Sequence, residues 1–185
     1  MFRLLDHFGV DRCVVAGESN GGTVALAAAA QDPSRFRGVI VVDAPIHGFD
    51  NEVVRRFVES LRADFEGAIR FFVEFCIPEP DAEHYKRWLR RILLRADPEV
   101  SVALLEAMYD VDLRPILPSL GVPVQLIHGE LDRNPHNQLS DAIETAQLLG
   151  GAPLHVVKGA GHVPTMTRPL EVADAMRAFH TGLPA

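Results

Sequence analysis

Apolar residues concentrate in four short stretches and recur at helical spacing elsewhere. RCVVAG (12–17) and GVIVVDAP (38–45) have the pattern of strands covered on both faces, and VPVQLIHG (122–129) and PLHVVKG (153–159) add two further strands. Residues 3–9 have the spacing of the tail of an amphipathic helix ending at Gly9, which readily takes a left-handed helix-end conformation. Further helices are predicted from Asn20 to about Gln31, where Asp32-Pro33 stops the run, near Asn137–Leu149, and from about Pro169 to His180.

The middle of the chain differs. Between Phe49 and Tyr109 no strand pattern occurs. Val53, Phe57, Leu61, Phe65, Ile69, Phe72 and Val73 form one helical repeat, and Tyr85, Trp88, Leu89 and Ile92 a second. Asp97-Pro98-Glu99 starts a third helix, with a capping oxygen, a proline in the first turn and an acid favoured by the helix dipole. The order is βαβ, a helical insertion, then βαβα. It predicts an α/β fold, a parallel sheet flanked by helices. Residues 1–48 and 110–185 are expected to form its core, and 49–109 an all-helical cap or lid over one end of the sheet, the alternative being that the insertion extends the core.

Composition narrows the choice. With 185 residues, 48% of them hydrophobic, the chain can bury one substantial core. A net charge of −7 repels a phosphate backbone, so no nucleic-acid partner is expected. Arg87, Arg90, Arg91 and Arg95 have the spacing of a solvated helix face. The two cysteines, Cys13 and Cys76, suit reduced thiols, and no Cys/His grouping has zinc spacing, so neither metal nor cofactor is expected. MFRLLDHFGVDR carries Asp6, His7 and Asp11 within a short apolar pattern, so it is not expected to act as a secretory signal. The longest apolar run, Val24–Ala30, is too short to span a bilayer, so a cytoplasmic location without membrane partner is expected.

The candidate chemistry sits where the first strand gives way to a helix. Gly17-Glu18-Ser19-Asn20-Gly21 fits G-x-S-x-G, in which small flanking residues permit a tight strand-to-helix turn. Such a turn lifts a serine clear of the sheet and aims backbone N–H groups of the helix start at a developing oxyanion. A P-loop is the competing glycine motif, but its lysine and following Ser/Thr are missing.

With these motifs the sequence resembles the α/β-hydrolase family over nearly its whole length. The resemblance implies a nucleophile, an acid and a histidine in that order, each after a strand. It places the acid at Asp132 in HGELDRNP and the histidine at His162 in AGHVP; DLRPILPSLGVP (112–123) is similar to the family's return from cap to sheet. The implied roles are Ser19 as nucleophile, His162 as general base, Asp132 as its orienting acid, and the Asn20 backbone N–H as oxyanion donor. Asp43, at the end of VIVVD, is an alternative acid. His128 and His155 read as structural histidines, His47 as a loop residue, and Glu18 as a packing or hydrogen-bonding residue.

The resemblance also implies that strands equivalent to the family's first four are absent, along with a loop giving a second oxyanion donor. Cys13–Ala16 is then expected to form an open sheet edge, covered by a homodimer partner or a completing N-terminal polypeptide. The expected function is hydrolysis of a small or medium apolar carboxylic ester through an acyl-enzyme. Carbon–carbon bond hydrolysis, acyl transfer and a non-catalytic, partner-dependent remnant remain open at this point.

Overall fold

A computed structural model describes residues 1–184; Ala185, the last residue of the expected core, lies outside them. Helix α1 (Phe2–His7) leads into strand β1 (Cys13–Glu18), helix α2 (Asn20–Gln31) and strand β2 (Phe36–Val42). Helices α3 (Glu52–Ala63), α4 (Phe65–Cys76), α5 (Glu83–Leu93) and α6 (Pro98–Glu106) follow without an intervening strand. Strand β3 (Val124–Gly129), helix α7 (Leu139–Leu148), strand β4 (Leu154–Val157) and helices α8 (Pro164–Thr167) and α9 (Pro169–Gly182) complete the chain. The strands form one parallel sheet in the order β1-β2-β3-β4.

The period of two in a strand explains the layers. On one face, Val39, Val41, Val124 and Leu126 pack with Ala25, Leu26 and Ala29 of α2 and Ala146 of α7. On the other, Ile40, Val42, Ile127 and Val157 meet Val172, Met176 and Phe179 of α9. Both faces of β2 and β3 are therefore covered, which accounts for the apolar run from Val39 to Val42 and for the burial of all six residues of β3.

Helices α3–α6 carry their own apolar cluster, built on Val58, Leu61, Ala68, Ile69, Val73 and Val102. A second cluster, Cys76, Ile77, Ala82 and Val163 with Met166, joins the end of α4 to the segment after β4. The apolar repeat from Val53 to Val73 is divided between α3 and α4. Asp64 makes the break: its side chain accepts the Gly67 N–H at 3.0 Å and so caps a new helix. The helix begun by Asp97-Pro98-Glu99 is consequently the fourth of this segment rather than the third, and Asp97 caps it as expected. Strand β2 ends at Val42, short of the predicted Pro45, because Asp43 turns to φ 42°.

Strand β1 pairs only with β2 among the described residues. Cys13, Val14 and Val15 are half-buried and Ala16 is exposed, so Cys13 lies in an edge strand rather than a buried one.

The packing behind the β1–α2 turn separates three neighbouring glycines. A Cβ on Gly17 would lie 2.2 Å from the Gly21 carbonyl oxygen, and one on Gly22 would lie 2.5 Å from the Ala44 Cβ. One on Gly21 would meet nothing within 4 Å. Gly17→Ala and Gly22→Ala are each expected to cost at least about 1–3 kcal/mol in urea unfolding. Gly21→Ala, inside a helix, is expected to be neutral or to stabilise by up to about 1 kcal/mol.

Candidate active site

Ser19 occupies the turn between β1 and α2 with φ 53° and ψ −132°, a conformation that L residues rarely adopt. Its N–H donates to the Val42 carbonyl at 2.8 Å, tying the turn to the end of β2. Asn20 is the first residue of α2, and the opening N–H groups of a helix lack intrahelical acceptors. The turn thus presents a hydroxyl and an unsatisfied backbone donor side by side.

His162 lies in the loop after β4. Its backbone N–H donates to the Cys76 carbonyl at 2.9 Å, and the N–H of Gly161 donates to Glu79 Oε1 at 3.0 Å. A Cβ at Gly161 would sit 2.3 Å from Pro78 Cδ and 2.4 Å from the Cys76 oxygen. Only glycine lets this loop press so closely against the end of α4. The result is a buried imidazole whose Nε2 lies 2.9 Å from Ser19 Oγ and whose Nδ1 lies 2.7 Å from Asp132 Oδ2.

Asp132 follows β3 and its side chain is fully buried. Oδ1 accepts the Asn134 N–H at 2.9 Å, and Oδ2 also accepts from Asn137 Nδ2 at 2.7 Å. Burial alone would raise its pKa, but the His162 hydrogen bond and charge, with the Asn134 N–H, bring it below the ordinary value. Burial pushes the His162 pKa down, yet the hydrogen bond and charge of Asp132, aided by Glu18, hold it above the ordinary value. An ionised carboxylate accepts, so the neutral imidazole carries its proton on Nδ1 and offers the Nε2 lone pair to Ser19.

The structure therefore brings Ser19, Asp132 and His162 into one hydrogen-bonded row. Asp43, the alternative acid, does not bond to His162. Its Oδ1 accepts the Gly129 N–H at 2.9 Å and lies 3.2 Å from His128 Nδ1. His128 is buried with its Nε2 lacking a partner, whereas His155 is half-buried and meets Glu171 at 3.0 Å. Glu18 Oε1 accepts from Thr165 Oγ1 at 2.7 Å. Burial raises the Glu18 pKa against the opposing influence of Thr165 and His162. One oxygen or nitrogen from each of Asp43, Asp132 and His162 lies within 4.8 Å of the others, and this trio is what a cation would find here. Asp132 and His162 already spend such atoms on each other.

A cavity of about 750 Å³ opens over Ser19, Asn20 and His162. Phe49, Phe57, Phe71, Phe72, Phe75 and Leu105 contribute to its apolar wall. Neither Phe65 nor Trp88 lines it, although each belongs to one of the two helical repeats of this segment; Phe65 packs in the helical cluster and Trp88 is exposed. Three supporting groups escape the sequence: Asn137, Glu79 and the Cys76 carbonyl. An asparagine in a loop, an acid before a proline and a backbone oxygen carry no motif.

The α/β-hydrolase family model matches residues 2–175, and the chain belongs to this family of enzymes. A pimeloyl-[acyl-carrier protein] methyl ester esterase of Stenotrophomonas maltophilia is 33% identical over 92% of this chain and 70% of its own. A strigolactone esterase of Arabidopsis thaliana is 21% identical over 96% of this chain and 69% of its own. Among solved structures, the enol-lactonase of Burkholderia xenovorans superimposes with a TM-score of 0.87 at 23% identity, covering 96% of this chain and 69% of that one. No helix among the described residues is long and apolar enough to cross a membrane.

In NMR titration, His162 is expected to take up its proton above the ordinary value of about 6.5. Asp132→Asn removes the charge that opposes burial, so the His162 midpoint should fall below that value.

Proposed function

We propose that this chain is a serine hydrolase that cleaves a small or medium apolar carboxylic ester through an acyl-enzyme. The hydrogen-bonded row Ser19–His162–Asp132 at the floor of an apolar cavity carries this reading. Esterases among the relatives support the same class of reaction.

Ser19 Oγ attacks the ester carbonyl carbon while His162 Nε2 takes the hydroxyl proton. Asp132 holds the Nδ1 proton in place and stabilises the imidazolium. The Asn20 N–H donates to the oxyanion. Collapse of the tetrahedral intermediate breaks the ester C–O bond, and His162 returns the proton to the departing alcohol oxygen. Water, deprotonated by His162, then attacks the acyl carbon, and Ser19 leaves with its proton restored. Helices α3–α6 act as a cap that excludes water and selects apolar acyl groups. The reduced thiols Cys13 and Cys76 suit a cytoplasmic setting.

A fluorophosphonate probe is expected to label wild type and not Ser19→Ala. Equal labelling of both overturns the assignment. Ser19→Ala should lower esterase turnover by roughly 10³-fold or more, leaving what binding and the oxyanion donor provide. Esters with apolar acyl groups should outpace charged ones of equal length; equal rates overturn the cap's role.

We also propose that the open edge of β1 pairs with another strand, from a second copy or a completing polypeptide. Its unpaired backbone groups and half-covered Cys13, Val14 and Val15 support this. Light scattering at micromolar concentration should then give a mass above 20.3 kDa. A stable monomer overturns it.

A further inference from the structure

Behind the Asp132–His162 pair stands a second carboxyl group for which the reaction described above has no use. Asp43 is 1% exposed, and it holds a left-handed backbone with φ 42° at the end of β2. Its N–H donates to the Ile127 carbonyl at 3.0 Å, which locks the residue to β3. The side chain thereby points into the space beneath Asp132 and His162, within 4.8 Å of both. Oδ1 is supplied with the Gly129 N–H and the neighbouring His128 Nδ1; Oδ2 is buried and receives no donor.

That pattern is costly for an anion and natural for an acid. A buried carboxylate oxygen without a donor carries the full desolvation penalty, and a second carboxylate alongside adds repulsion. Of the two, Asp132 is the better-solvated anion, with two amide donors and the imidazole N–H. We propose that Asp43 is held as the neutral acid and donates its Oδ2 proton to Asp132, so that the two share one negative charge behind His162.

The remaining groups facing Asp43 are consistent with this. Glu18 from β1 adds negative charge, as Asp132 does. His128 from β3 is kept neutral chiefly by burial, its pKa lying below the ordinary value. His162 is the one group here that becomes cationic, and Asp132 meets it directly. Cys76 from α4 is a buried thiol with its pKa pushed up, first by burial. For Asp43, burial comes first, then the charge of Asp132; together they outweigh the Gly129 N–H and raise the pKa to about 9. Asp43 is thus a positioning residue. Its proton tethers the oxygen pair that orients His162, and its neutrality keeps the charge opposite the imidazolium at one.

The catalytic consequence rests on the triad reading, whereas the protonation does not, and the experiments separate the two. In carbon-13 NMR of the wild-type chain labelled at aspartate carboxyls, one aspartate should remain protonated at about pH 7, against an ordinary aspartate value of about 3.9. Its signal should be absent from Asp43→Asn. If every aspartate is ionised at that pH, or if the protonated signal persists in Asp43→Asn, the proposal is overturned whatever the fate of the triad.

Activity supplies the second arm. Asp43→Asn preserves the charge of a neutral acid, so the acid limb of its kcat/KM profile should stay within about 0.3 pH unit of wild type, since only a change of net charge would move it. A fall of about one pH unit or more would show that an anion had been removed and overturns the proposal. In Asp132→Asn, Asp43 loses the second of the two influences that keep it protonated, and it can ionise when His162 becomes cationic during turnover. The double variant should then be at least about tenfold slower than Asp132→Asn alone. Equal rates overturn the shared-charge pair, while an active Ser19→Ala chain would instead overturn the triad.

Discussion

The site depends on a backbone conformation that must be enforced. Ser19 at φ 53° stores strain of about 1–3 kcal/mol, released unless the surroundings over-determine the turn. Three contacts do so: the hydrogen bond from Ser19 N–H to Val42, the approach of Gly17 to the Gly21 carbonyl, and the seating of Gly22 against Ala44. Strand β1 and helix α2 meet so closely that the chain between them has little choice. The hydroxyl is then aimed at one place, and His162 is waiting there.

Parallel topology supplies the rest of the convergence. Ser19, Asp43 and Asp132 each follow the C-terminal end of a strand, and His162 lies in the loop after β4. Register among β1, β2 and β3 brings these ends to one edge of the sheet, where crossover helices do not obstruct them. Charge is then concentrated in a dry space. One imidazole faces several carboxyl groups, and its surroundings hold it ready to become a cation. The hydrogen bond and charge of His162, with the Asn134 N–H, favour Asp132 as the ionised carboxyl.

The helical segment is coupled to this arrangement through the end of α4. The Cys76 carbonyl and Glu79 receive the N–H groups of His162 and Gly161, and Pro78 packs on Gly161. The segment that forms the apolar wall therefore also fixes the histidine loop. A shift in α4 would move the imidazole and the cavity together.

The sequence by itself determined the strands, the main helices and the family. Continuous β-branched runs can satisfy both faces of a parallel strand, and the G-x-S-x-G turn with HGELDRNP and AGHVP leaves few alternatives for the three convergent residues. Short-range signals sufficed there because each depends on neighbours in the chain. Asp64 was less legible: one aspartate divides an apparently continuous helical repeat because its oxygen finds Gly67. The choice between Asp43 and Asp132 as the partner of His162 was beyond any local pattern, since both follow strands. Tertiary structure decided it by turning Asp43 toward Gly129 and His128 and by lending Asp132 the donors of Asn134 and Asn137. Which aromatics line the cavity was likewise settled by packing. Phe65 and Phe72 share one helical pattern, and only the neighbour each meets sends one into the cluster and the other to the wall.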